Sequence, residues 1–460
     1  MPTINDENRK WWILAAMGTV LGVVVLDETV VGVTLPTMIR ELGLTTVASH
    51  WVINAYLLVF TVLAAAAGRL GDIVGLRRLF VIGLAIFAVA SLACGFAESG
   101  NWLIALRAVQ GIGAAVIFPG SLAMMTHAFP EEQRGMAMGI YGSIGTALLS
   151  LGPLAGGFFS EFLTWRWIFW INPPIVVLVA LVVLAAWRDP PREQPPVKLD
   201  ILGLTALIAG LGLAVFALMQ GPDWGWSHAG IWLILAAGIV VLIGFVLIEL
   251  RVPEPLIDVV LFRNGAFTTF NLAIFAAQFS KIAVFVFVAI YLQNVLGYGP
   301  LLAGGVILVA TVPTLLTAYP TGVILDRVGS RVLVVGASAA GVIAMVLVTL
   351  ATIRDSDLLL LPALVVWGGC ISLWFVPSLR DVMNTVPPDK RGEAGGISMT
   401  AQLLGGTVGM TICSLLFATT SAYWPIYALT AGLLVILFLL GRATIAPLRQ
   451  SGSGAAVDKD

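Results

Sequence analysis

The chain has 460 residues, 59% of them hydrophobic and only 11% charged, with a mean hydropathy of +1.01. A soluble globular chain carries about 25% charged residues, so a water-soluble fold of this size could not hide so much apolar surface. The net charge of −1 lacks the basic balance of a nucleic-acid binder, and no partner of that class is expected.

A membrane-spanning helix needs roughly 20 mostly apolar residues. Fourteen stretches meet that need, at 11–35, 50–68, 78–97, 101–125, 136–160, 166–187, 200–219, 229–249, 265–291, 300–324, 331–352, 358–380, 394–418 and 421–441. The expected fold is an all-α polytopic membrane protein. The first stretch is too long for a signal-peptide core and lacks a cleavage site, so it reads as a retained helix. Residues 189–200 form a proline-rich linker before the seventh stretch, and the polar tail is expected to be disordered.

An even number of crossings puts both termini on one side. The loops of that side hold nineteen Lys and Arg, against Arg40, Arg166 and Arg354 on the other, so both termini are expected in the cytoplasm.

Two loops repeat. Gly68, Asp72, Gly75 and Arg77 after the second helix are spaced as Gly322, Asp326, Gly329 and Arg331 after the tenth, at an offset of 254. Pro130, Arg134, Gly135 and Gly139 match Pro387, Arg391, Gly392 and Gly396 at an offset of 257. The two repeats share one orientation, which predicts parallel six-helix halves. The expected organisation is a six-helix bundle at 1–188, the linker and an inserted helix pair at 189–262, a second six-helix bundle at 263–442, and a tail at 443–460.

Four ionisable residues fall inside spans: Asp27, Glu28, Arg107 and Lys281. Each costs roughly 3 kcal/mol or more unless paired or facing a cavity. At a rise of about 1.5 Å per residue all four lie in the outer half, and Asp27 and Arg107 are placed to pair. Asp27 and Glu28 point about 100° apart on their helix, so they are not expected to share one task. A carboxylate caught between burial, which raises its pKa, and a nearby cation, which lowers it, can carry a proton. The bland reading is a static ion pair locking the first and fourth helices. Lys281 is open to three readings: a pair with Glu28, a contact to an anionic or zwitterionic substrate, or snorkelling to the interface. Asn54, Tyr56, Gln110, Asn271 and Gln278 could line the same cavity or bond helix to helix. Trp367, Trp374 and Phe375 could line an apolar, aromatic cavity or simply pack.

Several stretches resemble the major facilitator superfamily, and the 6+2+6 layout resembles its fourteen-helix drug:proton antiporter branch. They are Leu26 to Pro36, with Asp27-Glu28-Thr29; Gly68 to Arg78; Leu106 to Gly113, with Arg107 and Gln110; Gly152-Pro153-Leu154-Ala155-Gly156-Gly157; and Trp165 to Pro173. Glu28, Gly32, Leu148 and Lys281 depart from the branch's pattern. The resemblance implies the major facilitator fold with alternating access, an Asp27–Arg107 pair, and Asp27 as the proton-coupling residue. It also implies that Asp72, with Arg77 and Arg78, forms a conformational switch at a helix N-terminus, with Asp326 and Arg331 as counterparts. Gly152, Pro153, Gly156 and Gly157 match its antiporter motif. The implied function is proton-coupled antiport that exports small amphipathic compounds, drugs or secondary metabolites, from a bacterium through its inner membrane. An importer or symporter of a specific metabolite or organic anion is the alternative.

Other classes lack their signatures. There is no phosphate-binding Gly-x4-Gly-Lys-Ser/Thr loop, no metal-binding His/Glu spacing and no nucleophile elbow. No enzyme activity, metal or cofactor is expected; the energy is expected from a gradient or an unseen partner, and the resemblance implies a proton gradient. Cys94, Cys370 and Cys413 read as small buried residues, and His50, His127 and His228 are too scattered for a metal site. The expected partners are a small-molecule substrate, protons and the lipid bilayer, with the protein a monomer.

Overall fold

A computed structural model describes residues 5–130, 133–188, 200–252, 255, 257, 259–386 and 391–445. All fourteen expected spans are helices. They are α1 Arg9–Leu42, α2 Thr46–Val74, α3 Leu76–Cys94, α4 Gly100–Ala128, α5 Arg134–Phe162, α6 Trp167–Ala186 and α7 Ile201–Trp224. They continue as α8 Ala229–Glu249, α9 Gly265–Asn294, α10 Pro300–Leu325, α11 Arg327–Arg354, α12 Asp357–Asn384, α13 Arg391–Thr420 and α14 Trp424–Thr444. No strand occurs among the described residues. The linker at 189–199 and the tail from 446 lie outside the described residues.

In lipid every backbone polar group must be satisfied within the chain, which leaves helices as the economical solution for apolar runs of this length. α1 is longer than the apolar run suggests, because Pro36 and the polar residues after it continue the helix to a left-handed cap at Gly43. α1 starts and α14 ends on one side, called here the terminal face; the other is the far face. Lys10 donates to Gln133 at 2.7 Å, and Thr269 meets Thr444 at 2.7 Å, which ties helix ends together at the terminal face.

The internal repeat is visible in the geometry. Gly75 and Gly329 both turn the chain with positive φ, +101° and +79°, where a side chain would be strained. Two residues later, Arg77 donates to the carbonyl oxygen of Leu184 at 2.6 Å, and Arg331 donates to that of Arg442 at 2.8 Å. Each arginine serves the carbonyl end of the last helix of its own half, which favours a cation there.

Helices approach closely where small residues allow it. Along α1 and α5, Gly22 faces Leu148, Gly145 faces Leu21, Gly152 faces Thr29 and Gly156 faces Val30. Leu148, which replaces an expected small residue, is accommodated because the glycine stands on α1 instead. The halves meet through α5 and α10. A Cβ on Gly157 would lie 2.6 Å from the Pro300 carbonyl oxygen, and one on Gly304 would clash with that of Pro153. Glu161 accepts from the Leu301 amide at 2.9 Å and so places a carboxylate at the start of α10. Gly32 lets α1 reach Phe285 and Val286, within the π-helical turn Ala283–Val288 of α9. Gln293 donates to the Val33 carbonyl oxygen at 2.8 Å. Outside the spans, the Asp357 carboxylate beside Tyr298 holds that phenol above its ordinary pKa, so its hydroxyl stays a donor and ties the α9–α10 loop to α12.

The contacts between the halves, α5 with α10 and α1 with α9, sit toward the far face and close the halves together there. Nearer the terminal face, Gly139 and Gly142 of α5, Gly322 of α10 and Gly396 of α13 border open space. Overpacking a tight seam typically costs about 1–3 kcal/mol. Gly304→Ala is thus predicted to shift the protein toward a far-face-open state, seen as faster labelling of a Gly299→Cys reporter by an impermeant thiol reagent. Unchanged labelling would contradict a seam held by that close approach.

Candidate functional site

The four intramembrane charges make the site. Asp27, in the middle of α1, and Arg107, in the first third of α4, are 0% and 1% exposed. Arg107 Nη1 donates to Asp27 Oδ2 at 2.7 Å and to Gln110 Oε1 at 2.7 Å, while its Nε donates to the Val52 carbonyl oxygen at 3.1 Å. Gln110 Nε2 donates to Asp27 Oδ1 at 3.3 Å, so both carboxylate oxygens accept. The guanidinium lies over Tyr56, 4.2 Å from the ring centroid, and 5.7 Å from Phe169. Cys94 Sγ meets Gln110 Oε1 at 3.9 Å.

The network therefore joins α1, α2, α3, α4 and α6, all in the N-terminal half. The α4 spacing explains it: Arg107 and Gln110 are three residues apart and share a helix face. A buried pair survives when its desolvation is offset by geometry and by further hydrogen bonds, as here. The same bonds set a chemical rule. Protonating the carboxylate would remove the negative charge that the guanidinium pairs with and so weaken the Arg107 bond. The side chain of Glu28 lies outside the described residues.

A second set of polar groups lies where the halves meet. Asn54 donates to Thr411 at 3.0 Å, and Thr61 meets Thr407 at 2.8 Å, so α2 and α13 are bonded across the seam. Gln278 of α9 and Leu57 of α2 both lie against Gly406 of α13. Lys281 is one turn further along α9, 5% exposed, and immediately precedes the π-helical turn. Such turns are often found at functional sites. Trp367 donates to Ser280 at 3.1 Å and packs edge-on against Phe285, which brings α12 to the same stretch. Asn271 accepts from Ser398 at 3.0 Å, nearer the terminal face.

Trp374 does not join this set. Its indole donates to Ser338 at 3.3 Å and packs on Gly341 and Leu434, so it fills the interior of the C-terminal half rather than a cavity between halves. It lies two turns from Trp367 on nearly the same face of α12, but about 10 Å further along the axis, beside α11 and α14.

Three seam residues escape a reading of charges alone. Thr407 and Thr411 are four apart on α13 and face one way, a spacing visible in the sequence. His50 looks like the end of an apolar run but is 2% exposed, with Phe287 and Phe417 ring centroids 5.5 and 6.1 Å away. Its burial depends on α9 and α13, which no local pattern reveals.

In the repeated loops, Arg78 is exposed while Gly75, Arg77 and Arg331 act within their own halves as described. Gly68 and Asp72 lie within α2 and Asp326 between α10 and α11, and the side chains of Asp72 and Asp326 lie outside what the structure describes. No cluster of three or more metal-ligating side chains occurs among the described residues.

The chain matches the profile described as Major Facilitator Superfamily over residues 17–410, with a second match over 270–457. It is 34% identical over 433 residues to the puromycin resistance protein of Streptomyces alboniger, covering 91% of this chain and 84% of that one. It is 35% identical over 405 residues to the cephamycin export protein of Amycolatopsis lactamdurans, covering 85% and 81%. Its fold is similar to the crystal structure of a D-xylose–proton symporter, with a TM-score of 0.70, 15% identity, and coverage of 95% and 98%.

Removing one partner of a buried ion pair strands the other charge, at a cost of about 3–5 kcal/mol. Arg107→Ala is predicted to lower the thermal midpoint sharply in detergent. Asp27→Asn added to it should restore much of the loss. A double variant no more stable than Arg107→Ala would show that the two side chains do not depend on each other.

Proposed function

Because the chain belongs to the major facilitator superfamily, we propose that it is a proton-coupled antiporter exporting small amphipathic compounds, drugs or secondary metabolites, across a bacterial inner membrane. The observation that carries this reading is the Asp27–Arg107–Gln110 network, sealed beneath a closed far face. Relatives named for resistance to or export of antibiotics favour the outward direction.

In this reading the terminal face is cytoplasmic, as the Lys and Arg distribution requires. The conformation is then closed to the outside, with Asp27 deprotonated and held by Arg107. Opening the far face breaks the α5–α10 and α2–α13 contacts and lets outside water reach α1. Asp27 takes a proton there and loosens from Arg107 Nη1, and the substrate leaves. Closing the far face restores the pair, and the proton goes to the cytoplasm as the next substrate enters. Glu28, its neighbour on α1, is either a second proton site or a contact for a cationic substrate. Asn54, Tyr56, Gln110, Gln278 and Lys281 offer polar points in an otherwise apolar, aromatic site, the pattern of a pocket for varied amphipathic ligands. The halves at 1–188 and 263–442 act as the rocking units, and α7 and α8 ride between them. A single chain suffices for this cycle, and the proton gradient is its only energy source.

A relative named as a riboflavin transporter of Clostridioides difficile, 28% identical over 419 residues, favours a second reading as a carrier of one specific metabolite. Transport assays in vesicles separate the two. Asp27→Asn is predicted to abolish proton-driven drug transport while counterflow exchange without a gradient persists, and Glu28→Gln to lower the rate or the proton count. Full proton-driven transport in both variants would sink the coupling proposal, and transport of one metabolite with no drug among a cationic, neutral and zwitterionic panel would favour the second reading.

A further inference from the structure

At the terminal face, away from the ion-pair network, the start of α1 and the ends of α4 and α6 enclose a cavity of about 150 Å³. Arg9, Lys10, Arg188 and His127 line it, with Asp6 as the one carboxylate among the described residues. Asp6 lies 4.0 Å from Arg9, and Lys10 donates to Gln133 at 2.7 Å while its ammonium stands 5.6 Å from the Phe129 ring. Trp187 forms part of the wall, and Trp11 stands half-exposed beside Lys10. Tryptophans at this level mark the membrane–water interface.

The charge balance points to a missing anion. Among the described residues, three cations and the amide end of α1 face one carboxylate and the carbonyl ends of α4 and α6, each helix end equivalent to about half a charge. The surplus is positive, between about one and two charges, enough for a single phosphodiester. Back from the end of α6, two residues before Arg188, Leu184, Leu181 and Leu178 are all exposed at successive turns of one face. That stripe continues from the cavity into the depth of the bilayer, where an acyl chain would lie. A free phosphate has no use for it.

We infer that this cavity docks the phosphate of an anionic phospholipid headgroup, with the lipid's tail along the Leu184–Leu181–Leu178 stripe. The headgroup bridges α1 to α4 and α6 at the end of the half that holds Asp27 and Arg107. Basic pockets among helix ends at the membrane surface are a known chemistry for such headgroups. The inference needs only a membrane-embedded chain and does not depend on the direction of transport.

The test uses the purified full chain in nanodiscs of phosphatidylcholine, with and without phosphatidylglycerol, read by thermal midpoint and by lipid retention in native mass spectrometry. Phosphatidylglycerol is expected to raise the midpoint of the unmodified protein. Arg9→Gln with Arg188→Gln should weaken its retention about thirtyfold, from the usual contribution of two surface basic residues. Arg9→Lys with Arg188→Lys, which keeps the charge, should retain most of it, as should Arg354→Gln at the far face. Inorganic phosphate in phosphatidylcholine discs should leave the midpoint unmoved. The inference is overturned if the glutamine pair retains phosphatidylglycerol as well as the unmodified protein, if Arg354→Gln loses it equally, or if inorganic phosphate alone reproduces the stabilisation.

Discussion

A carboxylate and a guanidinium buried among five helices, in a chain with few other charges at that depth, is the constraint on which the N-terminal half is built. Asp27 and Arg107 are tolerable in the bilayer because each pairs with the other and because Gln110 and the Val52 carbonyl add further hydrogen bonds. That demand fixes where α1, α2 and α4 stand relative to one another. It also places a carboxylate and its partner cation in the interior of the N-terminal half. Under the proposed function, the proton carried by Asp27 would loosen the same pair that holds these helices together.

The remaining architecture is a matter of close approach. α1 meets α5, and α5 meets α10, through glycines opposed to large side chains or to backbone carbonyls. The α5–α10 seam adds one directional bond, from the Leu301 amide to Glu161. The hydrogen bonds across the halves, Asn54 to Thr411, Thr61 to Thr407 and Gln293 to Val33, are neutral and few. A far face held by packing, a handful of neutral bonds and one carboxylate at a helix start can open without stranding a buried charge.

Much of this was legible in the sequence, for physical reasons that are local. Apolar runs of span length gave all fourteen helices, and identical loop spacings gave the repeat, which reappears as Gly75 and Gly329 turning the chain and Arg77 and Arg331 capping the last helix of each half. Depth counting paired Asp27 with Arg107 because rise per residue is a constant of the helix. What was not legible depends on rotation about helix axes and on partners distant in sequence. Trp374 and Trp367 share a helix and a composition, yet only Trp367 reaches α9. Leu148 looked like a broken motif until Gly22 appeared opposite it. His50 is buried by rings from α9 and α13, more than two hundred residues away.

Family membership supplies a transporter fold, and the named resistance and export proteins supply a direction to test. Whether Asp27 exchanges its proton for substrate is the central claim. Binding linkage is reciprocal, so a ligand that favours the deprotonated carboxylate must expel a proton when it binds. The most direct measurement adds a transported compound to purified protein in weakly buffered detergent containing a pH indicator. The account predicts proton release that saturates with ligand and disappears in Asp27→Asn. No release on binding, or release undiminished in that variant, would contradict it.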